Sequence, residues 1–188
     1  MDKATAVFGG SFDPATTGHA MVVAHLILNE PSITDVLIVP CFQQAGKHLT
    51  PFEHRFNMCQ EAFGWLPNVS FSRVEQELGG ESITARTIKH LSEHTPNKLR
   101  FVMGSDLLDK VHTWDGWSVI EELAPPIVVG RAGIPSSRSE NTPICPVVSS
   151  SMVRDLLYGG HFSGAQRYLP AKVFEYIMTN GLYGVNNG

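Results

Sequence analysis

The chain is built on one recurring unit, a short apolar run rich in branched residues followed by a longer amphipathic segment. The runs are TAVF (5–8), DVLIVP (35–40), VSFSRV (69–74), LRFVMG (99–104), PIVVG (126–130) and CPVV (145–148). The segments between them read as helices over about 18–30, 51–65, 83–94, 105–123 and 150–158, with a last one near 170–180. Runs that are apolar throughout, rather than alternating with polar residues, are strands buried on both faces. Strand–helix alternation with such strands predicts an α/β protein, a parallel sheet flanked by helices.

At 188 residues the chain holds one well-buried core, so a single domain over 1–188 is expected. Pro51 marks the start of the second helix and Gly181 the end of the last. The stretch RAGIPSSRSENTPICP (131–146), rich in Ser, Pro and Gly, reads as a mobile loop. A net charge of -4 with 17% charged residues leaves no general basic footprint, which excludes a nucleic acid polymer as the expected partner. Three cysteines, Cys41, Cys59 and Cys145, lie scattered without CxxC spacing, which fits a reducing cytoplasm and neither a disulfide framework nor a zinc ribbon. The longest apolar run, AMVVAHLILN (20–29), falls short of the roughly 20 residues that cross a bilayer, so no membrane partner is expected.

The stretch GGSFDPATTGH, Gly9 to His19, joins the first strand to the first helix, at the strand end where open α/β sheets bind ligands. Gly9 and Gly10 permit close backbone approach, Pro14 stiffens the turn, and Gly18 and His19 fall at the helix entrance with its unpaired amides. Two readings fit the loop alone: a tight turn with a buried histidine, or a cradle for an anion. A second segment, VVSSSMVRDLL (147–157), ends another run with Ser149, Ser150 and Ser151 and places Arg154 one helical turn in. Serine hydroxyls cap helices or donate to phosphate oxygens, and a guanidinium matches a phosphate in bidentate fashion. Two strand ends, each opening a helix with phosphate-compatible donors, favour the cradle.

GGSFDPATTGH together with VSSSMVR resembles the signature pair of the HxGH/TxGH nucleotidyltransferase superfamily. Through PFEHRFNM, ESITARTI, MGSDLLDKVHTWDGW and VVGRAG, in that order, the resemblance extends along nearly the whole chain to the nicotinate (or nicotinamide) mononucleotide adenylyltransferases. It implies a Rossmann-like, doubly wound sheet, ATP with Mg²⁺, and transfer of AMP onto a pyridine mononucleotide with release of pyrophosphate, in NAD biosynthesis. It places ATP against Gly9, Gly10, Ser11, Phe12, Gly18, His19, Gly104, Asp106, Ser149, Ser150 and Arg154. It assigns the acceptor to Thr84, Asp106, Trp114 and Arg131, with Trp114 stacking on the pyridine ring, and the catalytic set to His19, Thr16, Arg154 and Lys47. Oligomeric state is left open, a homo-oligomer included.

The chain departs from the pattern at three points. Thr16 stands where the nicotinate enzymes have histidine, the form of the phosphopantetheine adenylyltransferases; QQAGKH replaces a Pro-Pro-His-Lys run but keeps Lys47; and Ile83 replaces a tyrosine. Two rivals follow: transfer to another phosphate monoester such as phosphopantetheine, and a non-catalytic nucleotide sensor.

Other candidates receive plainer readings. Trp117 is expected in the core and Asp109 in solvent. His90 and His94 lack the glutamate of HExxH and read as a solvated helix face, and Cys41, His48, His54 and Cys59 fit no structural zinc spacing. Arg55 reads as an outward charge and Met58 as a core residue.

Overall fold

The computed structural model describes residues 3–130 and 148–185. Among the described residues five parallel strands form one sheet: β1 (Ala4–Gly10), β2 (Ile33–Pro40), β3 (Val69–Phe71), β4 (Lys98–Gly104) and β5 (Ile127–Val129), in the order β3-β2-β1-β4-β5. Winding runs outward from β1 in one direction and restarts at β4 in the other. The Rossmann-like, doubly wound arrangement expected from the resemblance is therefore the fold of the chain, with its switch point between the carboxyl ends of β1 and β4.

Strand residues point alternately to the two faces, and both faces are apolar. From β1, Ala4, Ala6 and Phe8 face one core with Val102 of β4 and Val36 and Ile38 of β2, while Val7 faces a second core with Val39, Leu99, Phe101 and Met103. The first core is covered by α1 (Thr17–Asn29), α2 (Phe52–Phe63), α6 (Ser150–Tyr158) and α8 (Ala171–Thr179), through residues such as Leu26, Phe63, Leu157 and Ile177. The second is covered by α3 (Val74–Leu78), α4 (Thr84–His94) and α5 (Trp117–Leu123), through Val74, Ile88, Leu91 and Ile120. A short α7 (Phe162–Gln166) completes the helices among the described residues.

Several elements differ from the sequence expectation. The strand expected over 69–74 stops at Phe71, because the Ser72 hydroxyl accepts the Val74 amide (3.1 Å) and turns the chain into α3. The single helix expected over 105–123 is two 3₁₀ turns, Ser105–Leu107 and Val111–Thr113, followed by α5. Gly116 breaks it: its φ of +75° is left-handed, and a Cβ there would lie 2.6 Å from that of Ala85. Trp114 and Trp117 consequently sit on either side of a break and meet edge to face at 6.0 Å. The sixth run, 145–148, lies outside the described residues except for Val148, which is not in the sheet, as do Cys145, Arg131 and the loop expected over 131–146.

Arg55 is a correction. It is not outward: it is 1% exposed, and its guanidinium donates to the carbonyls of Thr50 (2.7 Å), Ser11 (2.9 Å), Cys41 (2.7 Å) and Phe42 (3.1 Å). It closes the segment after β2 onto the loop after β1, which supplies the carbonyls that make a buried cation tolerable. Met58, by contrast, is in the core as expected. No described helix is long and apolar enough to cross a membrane.

Candidate active site

The two glycines that end β1 lead into a loop held by its own aromatic ring. Phe12, at φ +46°, buries its ring to 1% exposure against Phe8 (5.4 Å), Phe63 (5.8 Å) and His19 (5.1 Å). The ring passes so close to Gly10 that a Cβ there would meet it at 3.2 Å, which is why this position is glycine. Burial of this ring leaves the Phe12 backbone, not its side chain, for any ligand.

Behind the loop the chain supplies a brace. Asp13, 2% exposed, accepts the Tyr183 hydroxyl at Oδ1 (2.6 Å) and the Thr50 amide at Oδ2 (3.2 Å). Burial, and next the Asp13 carboxylate, push the Tyr183 hydroxyl well above the ordinary tyrosine range, so the phenol stays a donor. Ser150 Oγ donates to the Pro14 carbonyl (2.8 Å), Arg154 Nη1 to the Asp13 carbonyl (2.6 Å), and Thr17 N to the Tyr168 carbonyl (2.9 Å). Ser149 caps α6 by accepting the Met152 amide (3.1 Å), and Ser151 accepts from Arg154 Nη2 (3.3 Å). The two signature segments therefore converge, with the α6 entrance seated on the first loop.

In front of the loop a cavity of about 630 Å³ opens over the carboxyl ends of β1 and β4, the size of a small-molecule site. Of the residues singled out from sequence, Gly9, Gly10, Ser11, Gly18, His19, Thr84, Gly104, Asp106 and Trp114 line it. Thr16, Lys47, Ser149, Ser150 and Arg154 do not: Thr16 is wholly buried behind the wall, Lys47 lies exposed on the 41–51 segment, and α6 braces the loop. Trp114 is held in that wall by edge contacts with Phe101 (6.1 Å) and Trp117 (6.0 Å).

Sequence reading missed three parts of the wall. Glu75, 5% exposed, accepts the Thr87 hydroxyl through Oε1, while Oε2 has no protein donor among the described residues. It sits on α3, whose five residues are too few to show a helical period, so no signal marked it. Cys41 lines the cavity too; burial raises its thiol above the ordinary cysteine value, more than the Arg55 guanidinium lowers it. Asp115 is the third.

The wall carries three carboxylates, Glu75, Asp106 and Asp115, and among the described lining residues no lysine or arginine. At the α1 entrance the amides of Thr17, His19 and Ala20 are bonded to Tyr168 O, Thr16 Oγ and Thr16 O, so a polyphosphate in such a place would need a cation brought with it. No group of three or more His, Cys, Asp or Glu among the described residues gathers to hold a metal alone. Asp106 beside the cradle suits an ion that keeps most of its ligands from water and phosphate.

A parallel sheet of this order, with a glycine cradle at its switch point, defines a class of nucleotide-binding α/β enzymes. Residues 7–156 match the cytidylyltransferase-like family, and the chain belongs to it. A probable nicotinate-nucleotide adenylyltransferase of Myxococcus xanthus is 35% identical over 186 residues, covering 96% of this chain and 94% of the relative. The fold also superposes on the nicotinic acid mononucleotide adenylyltransferase of Plasmodium falciparum. Its complex with NaAD aligns at a TM-score of 0.83 and 26% identity over 99% of this chain and all of that one. Its complex with APC aligns at 0.79 and 25% identity, again over 99% of this chain and all of that one. The chain is an enzyme, a nucleotidyltransferase.

Proposed function

We propose that the cavity takes ATP at its glycine end and a pyridine mononucleotide at its Trp114 end, and that the enzyme joins them as an adenylyltransferase of NAD biosynthesis. The observation that carries this reading is a cavity whose wall holds Gly9, Gly10 and His19 together with Thr84 and Trp114. The ATP phosphates lie against the amides of Gly9 to Phe12 and the α1 entrance at Gly18 and His19, with Gly104 and Asp106 beside the adenosine. Ser149, Ser150 and Arg154 act from behind by fixing the loop, and Lys47, exposed on the 41–51 segment, is the candidate cation for the phosphates.

An acceptor phosphate oxygen attacks the α-phosphorus of ATP, the bond from that phosphorus to its bridging oxygen breaks, and pyrophosphate leaves with the electron pair. A phosphate monoester has a second pKa of about 6, so the nucleophile is already an anion near neutral pH and no strong base is needed. What the protein supplies is alignment of the two substrates and donors for the departing charge. A divalent metal accompanies ATP and screens its phosphates; Mg²⁺, with its preference for phosphate, water and one or two carboxylates, fits the donor set. Nicotinate mononucleotide is the favoured acceptor, on the strength of the similarity to the bacterial and Plasmodium enzymes. Unpaired Cys41 and Cys59 and a substrate as abundant in cells as ATP support work in the cytoplasm.

Incubation with ATP, Mg²⁺ and nicotinate mononucleotide, nicotinamide mononucleotide or phosphopantetheine, followed by mass identification of products, tests the reading. The expected product is the nicotinate dinucleotide with one pyrophosphate per turnover. A product from phosphopantetheine alone overturns the acceptor, and ATP binding without pyrophosphate release under any acceptor makes the protein a sensor. His19→Ala is expected to lower turnover by about 10²-fold, the scale of a lost transition-state donor.

A further inference from the structure

The bonds around His19 determine where its proton lies. The Thr16 backbone N–H donates to His19 Nδ1 at 3.0 Å. Thr16 Oγ lies 2.9 Å from the same nitrogen and accepts the His19 backbone N–H at 3.4 Å. A backbone N–H has a proton to give and no lone pair to offer, so Nδ1 must present its lone pair to it. Once Thr16 Oγ has accepted from the His19 amide, its one proton is directed at Nδ1 as well. All three contacts are satisfied together only when Nδ1 is bare, which puts the ring in its neutral form with the proton on Nε2. Phe12, edge-on to the imidazole at 5.1 Å, and Phe8, at 6.1 Å, restrict the ring from turning over.

We propose that Thr16 is a positioning residue that holds His19 as the neutral Nε2–H tautomer, so that the imidazole serves as a fixed hydrogen-bond donor rather than as a proton acceptor. Thr16 is 0% exposed and absent from the cavity wall, so in this arrangement its hydroxyl acts on His19 and not on a phosphate. The fixed orientation suits the reaction proposed above, on which the catalytic part of this inference rests: charge builds on the oxygens of the leaving pyrophosphate, and a donor already aimed needs no rearrangement there. The loop thus reads as a capping box in which the usual glutamate is replaced by a histidine, with Thr16 as N-cap and His19 three residues on.

Nitrogen-15 NMR of histidine-labelled protein at neutral pH, without substrate, reads the tautomer directly. The wild type should show a pyridine-type resonance at His19 Nδ1 and a pyrrole-type resonance at Nε2. Thr16→Val, which keeps the shape and the backbone N–H but removes the hydroxyl, should shift both part of the way toward the averaged values of exchanging tautomers. It should also lower kcat by about tenfold with KM for ATP within about twofold, since one of the two donors to Nδ1 is lost. Thr16→Ser should restore the wild-type spectrum and most of the rate. A protonated Nδ1 in the wild type overturns the proposal, as does a Thr16→Val spectrum identical to the wild type. If Thr16→Val fails to fold, Thr16→Ala supplies the same comparison, and the wild-type spectrum still tests the tautomer. Failure of the transferase reading would appear separately, as absence of pyrophosphate release, and would leave the spectrum untouched.

Discussion

Arg154 donates through Nη1 to the carbonyl oxygen of Asp13 at 2.6 Å, across 141 positions of sequence. The bond fastens the entrance of α6 to the loop that follows β1, and Ser150 repeats the attachment one carbonyl further on, at Pro14. The glycine loop is therefore shaped by a helix that stands behind it.

Arg154→Ala is expected to lower kcat/KM by about 10²-fold, because a loop displaced by an ångström misaligns the reacting groups. Arg154→Lys should recover only part of the rate, since an ammonium lacks the planar fork that reaches Asp13 and Ser151 together. Pyrophosphate release at varied ATP checks both; an unchanged rate in the alanine variant would remove Arg154 from the machinery.

Arg55→Met keeps the buried stem and removes the charge, leaving the carbonyls of Thr50, Ser11, Cys41 and Phe42 without their donor. Each unsatisfied buried group costs about 1–3 kcal/mol, less where water enters. A loss on the order of 3–5 kcal/mol follows, which lowers Tm by about 10 °C in a chain of this size. Calorimetry measures it, and a Tm within about 2 °C of wild type would contradict the structural role.

Tyr183→Phe removes a hydrogen bond to a carboxylate, a contribution of about 1.5–3 kcal/mol. The sign of its pH dependence follows from the raised folded value: the fold favours the protonated phenol, so the contribution is complete below the ordinary tyrosine value near 10 and is lost as pH rises beyond it. Urea unfolding from pH 8 to 11 should show wild-type stability falling more steeply than that of Tyr183→Phe at the alkaline end. Parallel curves would contradict the coupling.

Trp114→Ala removes an aromatic ring from the cavity wall. A stacked aromatic contributes about 1–3 kcal/mol, so KM for nicotinate mononucleotide should rise by roughly 10- to 100-fold while KM for ATP stays within about twofold. Quenching of tryptophan fluorescence by the acceptor, lost in the variant, provides an independent reading. An equal effect on both substrates would place Trp114 in general packing.

Much of this was legible in the chain because the strands are apolar on both faces and the glycine loop is local. TAVFGG, DVLIVP and LRFVMG could only lie in a doubly covered sheet, and Gly9 to His19 lie close enough in sequence for their shared position to be read from the strand–helix pattern. What escaped depended on distant partners. Arg55 looked like any charged helix residue, and only the carbonyls of two other segments make its burial sustainable. Asp13 and Tyr183, 170 positions apart, carry no pattern that links them. Glu75 lies on too short a helix to show its face, and Gly116 broke an expected helix through the nearness of Ala85, a contact between two elements that no periodicity records.

The bond between Tyr183 and Asp13 also orders events in time. At a translation rate of about 5–20 residues per second, Asp13 leaves the ribosome on the order of ten seconds before its partner exists. Throughout that interval the loop has the partners supplied by Thr50, Arg55, Ser150 and Arg154 as each is made, but not the tyrosine, so its last support arrives well after the central strands have emerged.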